Sequence, residues 1–234
     1  MKIAVVYTTS PKELVDLIEK EIRTTIGENI NILNFYKPEV LEETRKVGYV
    51  TPSAAANLIC AYMEAVKEGA DAILNVCSSV GEVADSVQQI ASYINVPIVR
   101  IDTEMCREAV RKGKRIAILA TLSTTLEPTR NTIYHMAREL GRNVETVDVL
   151  VNGAFGLERE QFVALLLEKA KQVKEKADVI LLAQGSMAYV AEQIQEETGV
   201  LTLSSPKFGI LELQQAINKK CRFVKHMLHF YLKN

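Results

Sequence analysis

Few markers of dedicated chemistry occur in this sequence. Its four cysteines, Cys60, Cys77, Cys106 and Cys221, are scattered without a CxxC pair. No His lies at metal-ligand spacing from any of them, so neither a disulfide framework nor a zinc site has residues to build it. His226 and His229 sit one turn apart but have no carboxylate or Cys beside them, and no metal is expected. Charge of one sign is lacking too. A net charge of −1 gives no global field to attract nucleic acid or an anionic membrane. Only five apolar residues separate Lys2 from Thr8, too few for a secretory signal, and no run approaches the ~20 apolar residues of a membrane helix. These absences predict a cytoplasmic protein in a reducing compartment, with no nucleic-acid or membrane partner. No GxSxG elbow, Walker loop or GxGxxG is present, and no His falls near a strand end. Hydrolase triads, phosphate loops and a dinucleotide fold thus lack their residues.

What is present is an ordinary globular composition, 48% hydrophobic and 24% charged. The length suits one large α/β domain or two lobes of roughly 110 residues each. Residues 2–7 (KIAVVY) form a continuous apolar run without helical period, which predicts a strand buried on both faces. Ser10, Pro11 and Glu13 predict a capping box opening a helix, whose Leu14, Leu17, Ile18, Ile22 and Ile26 share a face up to Gly27. A strand at 30–35 follows, then a helix from Thr51-Pro52 to Gly69 and a strand at 71–76 ending at Cys77. Ser79 and Glu82 predict a second capping box, with a helix to about Tyr93. A strand at 97–101 and a helix from Asp102 to Gly113 complete the half. Alternation of strands and helices predicts parallel sheet covered on both faces.

The second half repeats the first. KIAVVYTTS at 2–10 is echoed by RIAILATLS at 115–123, and ADAILNVCSSVGEVA at 70–84 by ADVILLAQGSMAYVA at 177–191. NVPIVRID at 95–102 is echoed more loosely by GVLTLSSP at 199–206. The offsets, 113, 107 and 104 residues, keep order and spacing, which points to an internal duplication. The expected division is a first lobe at 1–114 and a second at 115–205. No Gly/Ser/Pro-rich linker separates them, so intertwined lobes are expected, with a long helix at 206–234 packing back on the first.

Sites in parallel α/β sheets form beyond the carboxyl ends of the strands, where N–H groups of the following helices point outward. Here those ends read Tyr7-Thr8-Thr9-Ser10, Cys77-Ser78-Ser79, Thr121-Leu122-Ser123-Thr124-Thr125 and Gln184-Gly185-Ser186. Such hydroxyl and amide groups can hold a carboxylate without Arg. Helix capping explains part of the pattern, but not the cysteine. Cys77 precedes a predicted helix N-terminus, where a thiolate would be stabilised and could act as base or nucleophile. Cys60, Cys106 and Cys221 fall in predicted helices, where a free Cys behaves as a small apolar residue.

These residues resemble the aspartate/glutamate/hydantoin racemase superfamily over almost the whole chain, in the paired N-terminal strands, DAILNVCSS and DVILLAQGS. The resemblance implies two pseudo-symmetric α/β lobes with the site between them, no cofactor, a homodimer and a small anionic substrate. It also implies that one cysteine in each lobe exchanges a proton with one face of the substrate carbon. Cys77 matches the first of these. Ser78 and Ser79 match the substrate-binding polar pair after it, Thr8 and Thr9 the polar residues after the first strand, and Thr121 and Thr124 the carboxylate-binding threonines of lobe two. Gln184, followed by Gly185 and Ser186, stands where the second cysteine belongs. An amide neither accepts nor donates a proton usefully near neutral pH, so a symmetric two-thiol racemase is not expected.

Three readings follow. One is a racemase- or isomerase-like enzyme, or a decarboxylase-like lyase, acting on an amino acid or dicarboxylate through Cys77 alone. The second is a racemase or epimerase whose other acid/base is Tyr7 or Glu82. The third is a carboxylate-binding protein without turnover.

Overall fold

The protein is described by a computed structural model covering residues 1–231, with side chains through Lys220. The side chains of Cys221, Arg222, Lys225, His226 and His229, and all of Lys233, lie outside the described residues. The first half runs β1 (Lys2–Tyr7), α1 (Lys12–Thr25), β2 (Asn31–Tyr36), α2 (Pro38–Val47), α3 (Pro52–Lys67), β3 (Ala72–Val76), α4 (Gly81–Ser86), α5 (Gln88–Ile94), β4 (Ile98–Arg100) and α6 (Thr103–Lys112). The second runs β5 (Arg115–Ala120), α7 (Ser123–Glu139), β6 (Glu145–Leu150), α8 (Arg159–Val173), β7 (Val179–Leu182), α9 (Ala191–Thr198), β8 (Leu201–Ser204) and α10 (Ser205–Tyr231).

Apolar runs became strands because each is covered on both faces. Five consecutive residues of β1, and five of β5, are buried. The two sheets are wholly parallel, ordered β2-β1-β3-β4 and β6-β5-β7-β8, so the duplication extends from sequence to topology. Even the sheet's starting edge is repeated. Asp71, just before β3, accepts the Lys2 backbone N–H at 2.9 Å, and Asp178, before β7, accepts those of Lys114 and Arg115 at 2.9 Å each. The Arg115 guanidinium and these N–H groups hold the Asp178 carboxyl down at about 2.

Helix starts differ from expectation in two places. Thr51 does cap α3, accepting the Ala54 N–H at 3.1 Å. Ser10 and Glu13 form no capping box, because α1 begins one residue late, with Pro11 extended in the capping position. No continuous helix runs from Ser79 to Tyr93 either. A single 3₁₀ turn, Ser78–Val80, leads into the short α4, and α5 starts afresh at Gln88. A helix that periodicity did not indicate, α2, starts on Pro38 and stops at Gly48, whose φ of +91° is the left-handed cap that glycine takes without strain.

The two halves are interlocked by their closing helices. After β4 the chain crosses over, and Met105, Cys106, Ala109 and Val110 of α6 pack with α7 on the second sheet. After β8 it returns, and Ile210, Leu213 and Ile217 of α10 pack with α1 on the first. Each of those three side chains contributes about 1.5–3 kcal/mol when buried. Together that rivals the ~5–15 kcal/mol net stability of a whole domain. The crossing is close. A Cβ on Gly209 of α10 would lie 2.5 Å from the backbone oxygen of Ile101.

Helix propensity alone would make Gly209→Ala stabilising by about 1 kcal/mol. Contact with a backbone oxygen has no flexible end to give way, and overpacking of this kind costs about 1–3 kcal/mol. Gly209→Ala should therefore lower the unfolding free energy. Chemical denaturation should show a reduced midpoint at unchanged slope.

Candidate active site

Strand ends of both sheets converge on one cavity of ≈ 390 Å³ between the lobes. Thr9, Cys77, Ser78 and Ser79 line it from the first lobe, and Thr121, Gln184, Gly185 and Ser186 from the second. Two others singled out from sequence stand beside this cavity without lining it. Thr8, buried at the end of β1, lines an adjoining cavity of ≈ 290 Å³ with Tyr7. Thr124 and Thr125 both meet Ser79, and of the two Thr125 also lines the main cavity. Glu82 bonds to Asn131 of α7 at 2.9 Å and lines none of these spaces, while Tyr7 borders only the adjoining one.

Cys77 and Gln184 follow the equivalent strands β3 and β7, and their chemistry diverges. Cys77 is half-buried. Burial pushes its thiol up from the ordinary value, against the Thr8 hydroxyl and the backbone N–H groups of Val80 and Ser79, which favour the thiolate. The Thr8 hydroxyl itself has no partner of normal hydrogen-bond geometry. The stabilised thiolate expected from sequence is thus corrected to a resting thiol. A three-residue 3₁₀ turn offers two nearby N–H groups but no long row of aligned peptide dipoles, so desolvation wins.

Gln184 is fastened to the residue that follows β5. Its Oε1 accepts the Thr121 backbone N–H at 2.7 Å, and its Nε2 donates to Thr121 Oγ1 at 2.8 Å. Since Oε1 must face the N–H, the amide's orientation is fixed by the bonds themselves. Ser79, expected as a helix cap, reaches across the cleft instead. Its Oγ lies 2.9 Å from Thr125 Oγ1 and 3.3 Å from Thr124 Oγ1, tying the turn after Cys77 to the start of α7. Ser78, 5% exposed, keeps a hydroxyl with no protein partner.

A model of the Asp/Glu/hydantoin racemase family matches residues 3–213. The chain belongs to that family. Solved structures share its fold at low identity. A glutamate racemase isoform from Bacillus anthracis is 16% identical, with a TM-score of 0.70, over 93% of this chain and 82% of that one. Aspartate racemase from Picrophilus torridus is 14% identical, with a TM-score of 0.66, over 93% and 94%. Allantoin racemase from Klebsiella pneumoniae is 13% identical, with a TM-score of 0.65, over 93% and 88%. No curated protein sequence matches significantly. Among the described residues there is no His, Cys, Asp or Glu cluster that could hold a metal, and no helix long and apolar enough to cross a membrane.

Two buried polar residues of the first half of this racemase-family protein were not singled out from sequence. Asn75, buried in β3, donates to the Cys77 carbonyl at 3.0 Å and accepts from the Tyr62 hydroxyl at 3.1 Å, fixing the backbone that carries the thiol. An amide inside an otherwise apolar strand was the available signal. Arg100 is also buried. Its Nε donates to Asp102 at 2.6 Å, its Nη1 to Asp85 at 2.9 Å and its Nη2 to the Pro128 carbonyl of α7 at 3.3 Å. Burial opposes its charge, but the two carboxylates hold it protonated.

A raised thiol should be slow to alkylate at neutral pH. Iodoacetamide should modify the exposed Cys60 before Cys77, and Cys77 labelling should climb only as the pH is taken into the alkaline range. Peptide mass spectrometry after timed labelling at pH 7 and pH 9.5 measures both sites.

Proposed function

We propose that this racemase-family protein is a single-thiol enzyme. Cys77 exchanges a proton with one face of a carbon adjacent to a carboxylate. The observation that carries this reading is the asymmetry across the cavity: a thiol after β3 faces an amide after β7 that is committed to Thr121. Hydroxyls of Thr9, Ser78 and Thr121 are the groups available to hold the carboxylate.

The step balances on one residue. The resting Cys77 thiol first loses its proton to water, and the thiolate so formed takes the α-proton as the C–H electron pair moves into the carboxylate, giving an enediolate and a thiol. The thiol then returns a proton, exchanged with solvent, to the same face, and the thiolate is restored. Retention, not inversion, is the outcome. Net turnover then belongs to substrates in which another bond also changes, through loss of a carboxylate or migration of a double bond, with Cys77 supplying the proton. A resting thiol suits that donor role. No cofactor is invoked. The raised thiol also favours a second reading, a carboxylate-binding protein without turnover.

Incubation with small carboxylic acids in deuterium oxide, followed by proton NMR, separates the two. Wild type should place deuterium at the α-position with retained configuration, and Cys77→Ala should slow this by about 10²–10⁴-fold. Gln184→Cys should supply a proton carrier on the opposite face and interconvert enantiomers. Interconversion by the wild type would refute the single-thiol reading. Ligand-dependent thermal stabilisation that survives Cys77→Ala, with no exchange from any acid, would establish the binding protein.

A further inference from the structure

The cavity's walls say more about the ligand than its strand ends do. Behind the hydroxyls and thiol, Leu14, Leu41 and Val76 form a buried apolar floor. Phe155, Leu157 and Phe162, from α8 and the segment before it, form the opposite side. Phe155 and Leu157 are 42% and 38% exposed, and both line this cavity, Phe155 also bordering the adjoining one with Arg45 and Glu42. Scattered exposed apolar residues need no explanation, but several gathered on one cavity mark a surface that a ligand covers. The wall is also held in place. The Arg45 guanidinium of the first lobe lies 4.2 Å from the Phe155 ring centroid, and Phe162 packs against Tyr189 with centroids 6.1 Å apart.

Charge is sparse here. Glu13 and Arg159 are the acidic and basic residues on the lining, one of each sign, and both are exposed at the rim. Both act on the Tyr189 hydroxyl, and the Arg159 guanidinium lies 4.6 Å over that ring. An acidic amino acid brings two carboxylates and an ammonium. Set against Leu14, Leu41 and Val76, any of these would lose its hydration without gaining a partner.

Resting on the proposed carboxylate chemistry of this same site, we propose that the acid it takes carries a bulky apolar group of about phenyl size. That group stands where an acidic amino acid has its second carboxylate. The single carboxylate meets the hydroxyls near Cys77, and the apolar group lies between Leu41 and Phe155.

Titration calorimetry of the full chain with 3-phenylpropionate, phenylacetate, succinate and glutamate tests this. The aryl acids should bind at least tenfold more tightly than succinate or glutamate. Phe155→Ala, at an exposed position, should weaken 3-phenylpropionate by roughly tenfold and leave acetate unchanged. Leu157→Asn should act in the same direction. Equal affinities, or tighter binding of succinate or glutamate, would overturn the assignment. So would unaltered 3-phenylpropionate affinity in both variants. The two proposals fail separately. Aryl acids that bind without α-proton exchange support the ligand class and sink the single-thiol reaction. Exchange on glutamate with no aryl binding does the reverse.

Discussion

A parallel sheet must be covered on both faces, and here neither sheet is covered completely by the stretch of chain that forms it. The helix after each sheet's last strand crosses to close the other sheet, α6 onto the second and α10 onto the first. The burial lost by pulling the halves apart would be comparable to the stability of a domain. The cleft between the sheets is therefore part of one interlocked fold and not a gap between separable domains. Gly209, pressed on the Ile101 carbonyl, and Arg100, bonded to the Pro128 carbonyl, are two of the points where the halves meet.

Given that frame, the site follows from strand direction. Among the described residues all eight strands run parallel within their sheets, so the ends of β1 and β3 and of β5 and β7 reach the same cavity. Duplication then supplies two versions of each strand end, and the versions have diverged. After β3 comes a thiol whose backbone is pinned by Asn75, and after β7 an amide pinned by Thr121. The two sides are alike in position and unlike in proton chemistry. Membership of the racemase family gives the scaffold, and this asymmetry gives the chain its own character within it.

Much of the fold was legible because buried parallel strands need nearly uninterrupted apolar runs, which stand out in KIAVVY, DAILNV and RIAILA. Alignment of the halves gave the two-lobe arrangement and paired Cys77 with Gln184. Local signals were weaker. Ser10 and Ser79 have the composition of helix caps, yet Pro11 displaced one, and the other is drawn across the cleft to Thr125. Capping patterns report what a side chain can bond locally. They are silent about a hydroxyl arriving from another lobe. Thr8 and Thr124 stand one step behind the lining, Thr8 beside Cys77 and Thr124 in the first turn of α7 beside Ser79, because their neighbours Thr9 and Thr125 take the lining positions.

By itself the sequence determined the strands, their duplication and the one thiol among the four strand ends that meet at the cleft, because these depend on residue type and order. The state of that thiol was decided only in three dimensions. Two N–H groups and a hydroxyl favour its charge, burial opposes it, and the balance depends on how much protein surrounds the sulfur. The fastening of Gln184 to Thr121, residues separated by 63 positions, needed the sheet to bring them together. The cavity's apolar wall arose the same way, from Leu14, Leu41 and Val76 on one lobe and Phe155, Leu157 and Phe162 on the other. Burial and hydrogen bonding across a cleft are properties of packed surfaces, and no local pattern of residues encodes them.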